Sequence, residues 1–323
     1  MPKVAIVLPA LNEELTIEAT IRGFSAALPD APIFVINNDS KDRTAALATA
    51  TLRSLGNHGK VIDEPRQGKG NAVRRAFKDI EADIYVLCDA DNTYPPARVK
   101  DLIQPILDDR ADMVVGDRLS RGDYRRENDR PLHNFGNQLL QSTINLLFRA
   151  ELIDITTGYR AFSRTFVKNY PILVEGFQIE TDMTLHALDK RFRILEIPIE
   201  YRNRPPGSVS KLSTLSDGAK VIFAIVQILR YYRPLVFFGF LSVFFVVIGL
   251  ITAKPVMDDW IHFRYIYHVP LAILAAALES VAVMMAVVGL ILDSLIHHQK
   301  LEYERSLLNQ SKDRAGCMGP EVG

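Results

Sequence analysis

Short apolar runs alternate with longer amphipathic stretches through the first third of the chain. Residues 4–8, 33–37, 61–62, 84–88 and 113–115 are apolar runs of strand length. The stretches near 13–28, 42–55, 69–81 and 96–109 read as helices, the second being rich in Ala and Leu. Such alternation predicts a mostly parallel sheet with helices on both faces. A charged, loop-like segment follows at 118–131. Beyond it Leu132, Phe135, Leu139, Leu140, Ile144, Leu147 and Phe148 recur at helical spacing, predicting an amphipathic helix over 132–149. Leu212, Leu215, Ala219, Ile222, Phe223, Val226 and Leu229 mark a second amphipathic helix within 211–233. Either could be ordinary core packing; the second leads straight into an apolar segment, which favours a place at a membrane interface.

The last third changes character. Residues 235–253 are almost wholly apolar, and 269–296 are apolar apart from Glu279, Ser280, Asp293 and Ser294. Both exceed the roughly 18 residues that a spanning helix needs. The segment 254–268 between them is polar, contains Trp260, Tyr265 and Tyr267, and reads as a loop at a membrane surface. Lys211, Lys220, Arg230 and Arg233 precede the first span, and Lys300, Arg305, Lys312 and Arg314 follow the second. The intervening loop holds only Lys254 and Arg264. This asymmetry predicts both termini in the cytoplasm. The expected organisation is a cytosolic domain at 1–210, an interface helix at 211–233, two transmembrane helices within 234–298 and a cytosolic tail at 299–323, disordered after about Leu308.

Composition adds two constraints. Lys+Arg and Asp+Glu both total 38, and no long basic run occurs, so nothing points to nucleic acid. The two cysteines, Cys88 and Cys317, provide no disulfide framework; Cys88 in a buried strand fits a reduced, cytosol-facing domain. The amino terminus runs directly into a strand and does not read as a signal peptide.

The densest chemistry lies in Val86-Leu87-Cys88-Asp89-Ala90-Asp91-Asn92-Thr93-Tyr94-Pro95-Pro96, where an apolar strand ends in two carboxylates one residue apart. Residues i and i+2 of an extended chain point the same way. Asp89 and Asp91 can therefore share one hard divalent cation, Mg2+ or Mn2+, at the strand's carboxyl end, where open α/β sheets bind ligands. A solvated Asp-rich turn is the plainer alternative. Pro9-Ala10-Leu11-Asn12-Glu13-Glu14 ends the first strand, and Asn12 is a candidate helix cap. Asn37-Asn38-Asp39-Ser40 ends the second, so three successive strand ends define one cleft. Arg66-Gln67-Gly68-Lys69-Gly70-Asn71 is either an anion-binding turn, with backbone N–H groups and Lys69 facing a phosphate, or a plain helix start.

The set PALNEE, INNDSKDRT, GKGNAV, DADNTYPP and GDRLSRG resembles family 2 inverting glycosyltransferases of the GT-A fold, a Rossmann-like, mostly parallel α/β sheet. The segments 154–162, 176–182 and 204–212 resemble polyprenyl-phosphate glycosyltransferases, the group of dolichyl-phosphate mannose synthases and bacterial undecaprenyl-phosphate glucosyltransferases. The resemblance covers residues 3 to about 233, and the paired apolar spans suit the bacterial branch. It implies a nucleotide pocket lined by Pro9, Leu11, Glu13, Asp39, Lys69, Ala90 and Gln178, with Asp89 and Asp91 holding the metal on the diphosphate. Arg118 and Arg160 would meet the acceptor phosphate, and Arg204 and Lys211 would clamp phosphates from a closing loop. Where some relatives have a second acceptor arginine this chain has Asn134, for which Arg130 or His133 could compensate. Thr93 stands where some relatives have a metal-contacting Gln, and Asn-Asn-Asp-Ser where many have Asp-Asp-Gly-Ser. Asp154, Glu180 and Asp182 would orient groups or balance charge, or pair structurally with Arg160 or Arg193.

The function this implies is transfer of a hexose from a nucleotide-sugar, UDP-linked in the first reading and GDP-mannose in the second, to polyprenyl monophosphate in the inner or plasma membrane. A processive synthase is disfavoured, because two spans are few for a channel. A non-catalytic membrane scaffold is the alternative of another class. Membrane hairpins can pack together, so a homo-oligomer stays open.

Overall fold

The computed structural model describes residues 2–120, 131–175, 178–202 and 217–317, with side chains at 131–135, 217–221 and 310–317 excepted. The chain divides into two compact units, Met1–Gly218 and Ala219–Gly323.

In the first unit, β1 (Val4–Ala10), β2 (Ile33–Asn37), β3 (Val61–Asp63), β4 (Ile84–Leu87), β5 (Met113–Asp117), β6 (Arg160–Ser163) and β7 (Ile194–Pro198) form one sheet. Their order is β3-β2-β1-β4-β6-β5-β7. β1 pairs parallel with both β2 and β4, β2 with β3, and β5 with β7. Only β6 runs antiparallel, wedged between β4 and β5. The helices are α1 (Ile17–Ala27), α2 (Thr44–Ser54), α3 (Lys69–Asp79), α4 (Val99–Leu107), α5 (Pro131–Phe148), α6 (Arg164–Asn169) and α7 (Ile179–Asp189).

The strands are apolar on both sides because both sides are covered. Alternate residues of a strand face opposite ways. Ile6, Leu8 and Val86 pack with Ile21, Phe24 and Leu102 of α1 and α4. Ala5, Val7, Tyr85 and Leu87 pack on the other face with Val73, Phe77, Phe162 and Phe166. Complete burial of such a side chain contributes about 1.5–3 kcal/mol, which makes continuous apolar runs the natural sequence of a doubly covered parallel sheet.

The mostly parallel sheet and the positions of α1–α5 agree with the sequence reading; β6, β7, α6 and α7 were not anticipated. Asn12 does not cap α1, which begins at Ile17 after Thr16. It instead takes a left-handed backbone, φ 50°, and its side-chain oxygen accepts from the Lys41 N–H at 2.7 Å. Asn12 therefore joins the β1 loop to the β2 loop.

The second unit contains α8 (Asp217–Tyr232), α9 (Pro234–Phe263) and α10 (Val269–Cys317). The latter two are long and apolar enough to cross a membrane. Phe240 is 75 % exposed and Val243 63 %, so none of the described residues covers them. The Ser242 hydroxyl donates to the Ala282 carbonyl, and Gly249 lets the Glu279 side chain lie against the α9 backbone. The expected loop at 254–268 is corrected to a turn at 264–268, because α9 runs through Pro255 to Phe263. Polar residues there signalled a loop, but the Asp259 carboxylate closes the turn by accepting the Tyr267 and His268 N–H groups. The expected disordered tail is corrected likewise: α10 continues to Cys317. Its 49 residues extend about 74 Å at 1.5 Å each, well past a hydrocarbon core of about 30 Å.

His186 sits in α7 among the rings of Phe166, Tyr170 and Phe192. Burial, helped by Lys190, pushes its imidazole down to about 4. An unfolded imidazole titrates near 6.5. Between about 6.5 and 4 the unfolded chain therefore takes up a proton that the folded chain refuses, and stability falls across that window as the pH drops. His186→Phe should remove this part of the pH dependence, read as a smaller loss of melting temperature between pH 7.5 and 4.5 than in the wild type.

Candidate active site

Parallel pairing of β1 with β2 and β4 places their carboxyl ends on one edge of the sheet. The loops after these strands carry Leu11 and Glu13, Asp39, and Asp89-Ala90-Asp91; Pro9 closes in from β1 itself. Three tertiary bonds define the edge. The Thr16 and Thr20 hydroxyls both donate to the Ala90 carbonyl, at 2.8 and 3.3 Å. The Glu13 N–H donates to the Thr44 hydroxyl at 2.8 Å. Asn38, 3 % exposed, holds the β3 loop by donating to the Glu64 and Arg66 carbonyls and accepting from the Gly68 N–H.

Asp91 is buried, and one of its oxygens accepts from both the Thr93 N–H (3.1 Å) and hydroxyl (2.6 Å). Asp89 is open to the cleft, its side chain 28 % exposed. The Lys69 ammonium donates to Asp89 Oδ1 and to Glu180 Oε1, in the first turn of α7. Burial alone would lower the Lys69 pKa, but the two carboxylates hold it above its ordinary value. On its other side Asp89 lies against Gly158, where a Cβ would come 2.3 Å from Oδ2. Cys88 is not reactive here: burial, with Asp89 and Asp91 adding, pushes its thiol well up.

Asp89 and Asp91 are hard oxygen donors at a strand end, which suits Mg2+ or Mn2+. Among the described residues no three His, Cys, Asp or Glu groups gather to hold a metal. Asp89 and Asp91 would supply two carboxylate ligands, and substrate oxygens and water would add others.

Three groups that the sequence offers to phosphates have protein partners in the structure. In the Gly-rich turn two N–H groups are satisfied internally, Gly68 on Asn38 and Gly70 on the Glu175 carbonyl at 2.9 Å. The glycines serve close approach, as a Cβ at Gly70 would lie 2.0 Å from the Val174 carbonyl. Arg118, 8 % exposed, is already partnered. It forms a bidentate pair with Asp154 at 2.7 and 2.9 Å, donates to Thr156 at 3.0 Å, and stands over the Tyr201 ring. Arg160 is buried deeper, at 0 % exposure. It donates to the Thr157 and Ile155 carbonyls and the Thr184 hydroxyl. Both arginines hold the 154–160 segment that presents Gly158 to Asp89. Tyr94 completes that hold, its phenol oxygen accepting from the Gly158 N–H at 2.9 Å.

Pro9, Leu11 and Asp39 are half-buried, and Asp39 accepts from Lys41 and Gln67. Gln178 is exposed at the start of α7. Asp182 accepts from the Tyr170 hydroxyl, away from Arg193, which pairs with Asp109 and Asp112. Arg130, Arg204 and Lys211 lie outside the described residues, as does the side chain of His133 on α5. The Thr16–Thr20 clamp, Tyr94 and the Lys69–Glu180 pair carried no signal in the sequence, since their partners are 63 to 111 positions away.

The family model for glycosyl transferase family 2 matches residues 5–170, half of the chain. The chain belongs to glycosyl transferase family 2. This glycosyltransferase is similar over nearly its whole length to glycosyltransferase AglJ of Haloferax volcanii, 28 % identical, covering 94 % of this chain and 96 % of AglJ. It is also similar to a dolichyl-phosphate hexose transferase of the same organism, 28 % identical over 69 % of this chain and 92 % of the relative. Its GT-A fold matches a Mycobacterium tuberculosis glucosyl-3-phosphoglycerate synthase crystallised with Mn2+, UDP-glucose and glycerol 3-phosphate. The TM-score is 0.51 at 25 % identity, covering 71 % of this chain and 79 % of that one. An enzyme therefore replaces the scaffold alternative.

The Asp154–Arg118 pair generates a stability test. Burial would raise the Asp154 pKa, but Arg118 outweighs it and holds the carboxyl below the usual range. Asp154→Ala leaves the buried Arg118 charge without its carboxylate, and breaking such a pair costs about 3–5 kcal/mol. The expected result is a lower melting temperature together with lost activity, with Asp154→Asn intermediate in both.

Proposed function

We propose that this glycosyltransferase moves a hexose from a nucleotide-sugar, UDP-linked, to the monophosphate of a polyprenyl lipid at the cytoplasmic membrane face. Transfer inverts the anomeric carbon and uses Mg2+ or Mn2+ on the diphosphate. The observation that carries the reading is the Asp89/Asp91 pair at the end of a buried parallel strand, in a chain with two helices suited to a bilayer. The relative named a dolichyl-phosphate hexose transferase supports the acceptor class. The structure solved with Mn2+ and UDP-glucose supports the donor and the metal.

The divalent ion would neutralise charge that develops on the leaving diphosphate. Asp89 and Asp91 would present fixed oxygens to it, Asp89 held by Lys69 and Asp91 by Thr93. Pro9, Leu11, Glu13, Asp39, Ala90 and Gln178 would line the nucleotide side of the cleft. Arg204 and Lys211 would meet phosphates, and Arg130 and His133 the acceptor. No residue need remove a proton from the acceptor. A phosphate monoester has a second pKa of roughly 6, so its oxygen is already a nucleophile at neutral pH. That agrees with a site whose buried carboxylates, Asp154 and Glu180, are committed to Arg118 and Lys69.

The deciding measurement is a screen of radiolabelled UDP-hexoses and GDP-mannose against membranes with added undecaprenyl phosphate. A UDP-hexose should give lipid-soluble label that mild acid releases as free sugar. Asp89→Ala, Asp91→Ala or excess chelator should lower that turnover by several orders of magnitude. Label from GDP-mannose alone would move the donor, and no lipid-soluble label from any donor would overturn the reading.

The Lys/Arg asymmetry supports a topology with residues 1–233 and the carboxyl terminus in the cytoplasm and the turn at 264–268 outside. Single-cysteine variants in intact cells should react with a membrane-impermeant maleimide at position 266 and stay unlabelled at 310. Labelling at 310 would reverse the arrangement.

A further inference from the structure

Lys69 occupies an unexpected place for a residue anticipated to face a phosphate. Its ammonium is shared between Asp89 and Glu180, with side-chain exposures of 8 % for Lys69 and 6 % for Glu180. All three groups are held by backbone. Lys69 is the first residue of α3, whose entry is fixed by the Gly68 and Gly70 bonds. Glu180 lies in the first turn of α7, and Asp89 is backed by Gly158. The cation therefore cannot drift from the carboxylate without repacking, and the carboxylate cannot turn from the cation towards Gly158.

We propose that Lys69 is a built-in counter-cation of the metal carboxylate: held by Glu180, it competes with a bare divalent ion at Asp89, so that the ion is taken up together with the nucleotide diphosphate. The inference rests on Asp89 and Asp91 holding a metal. A dication that reaches Asp89 alone meets an ammonium already bonded to the same carboxylate, and like charges at that range repel strongly in a partly buried site. A diphosphate changes the balance by adding negative charge and the oxygens that two carboxylates leave wanting. Glu180 acts with the opposite sign, because it offsets the ammonium and lessens the repulsion.

The two roles give opposite shifts in one measurement. Mn2+ binding is followed by electron paramagnetic resonance on the full-length protein in detergent, with and without UDP, and with GDP in a parallel arm. The wild type should bind Mn2+ weakly alone and much more tightly with nucleoside diphosphate. Lys69→Met should tighten binding of Mn2+ alone by roughly tenfold or more, and so lose most of the dependence on nucleotide. Glu180→Gln should loosen it, and the double variant should return towards the wild type. Lys69→Arg, which keeps the charge, should stay on the wild-type side.

Melting temperatures accompany each titration. If both single variants lose Mn2+ affinity in step with stability, the triad is a structural ion cluster and the inference is overturned. Unchanged binding of Mn2+ alone in a folded Lys69→Met also overturns it, while wild-type uptake of Mn2+ with nucleotide leaves the metal reading intact. Should Lys69→Met fail to fold, Glu180→Gln decides, since tighter binding there contradicts the inference. No Mn2+ uptake by the wild type with either nucleotide overturns the metal reading and the inference together.

Discussion

One buried ammonium joins the pieces of this active site. Lys69 begins α3, Asp89 follows β4 and Glu180 lies in the first turn of α7, and only the folded sheet brings the three together. Removing a charge from water is costly, and a buried ion cluster is tolerated only when every member keeps its partners. The cluster therefore demands that α7 dock beside the β4 edge. It also fixes the rotamer of Asp89, the more exposed carboxylate of the pair. Lys69 and Glu180 are positioned by helix starts, and Asp89 by the loop just after β4.

A second set of charges supports the first. Arg118 and Arg160 hold the 154–160 segment, Arg118 through Asp154 and Thr156 and Arg160, its last residue, through Thr157 and Ile155. That segment supplies Gly158, the residue without a side chain that lets the backbone approach Asp89. β6 makes the arrangement possible: inserted antiparallel between β4 and β5, it delivers the segment before it to the same edge at which β4 ends. The arginines thus bear on the Asp89 side of the cleft through the shape of the segment they anchor.

The second unit follows a different solvent's rules. Its two long helices expose large apolar side chains along most of their length, which water would penalise and lipid would not. The Ser242 hydroxyl bonds across to the Ala282 carbonyl of the neighbouring helix, while Thr252 and Ser280 bond carbonyls of their own helices. At the turn Asp259 satisfies backbone donors that would otherwise be left open. A carboxylate that reads as a loop residue in the sequence is here the device that closes the hairpin.

The sequence by itself determined the alternating strands and helices, the common edge of their polar ends, the Asp89/Asp91 pair and the two long apolar helices. All of these rest on local periodicity: period two in a strand, period 3.6 in a helix, and length against bilayer thickness. What it left open was how each polar group would be used. Arg118, Arg160 and the N–H groups of the Gly-rich turn have the chemistry of phosphate ligands, and the sequence carries no sign that Asp154, Thr184, Asn38 and Glu175 have already claimed them. β6 and β7 were hidden for a related reason: β6 is four residues long and opens on an arginine. Partner choice among charged and hydrogen-bonding groups depends on distances between elements remote in the chain, and only the tertiary structure decides those.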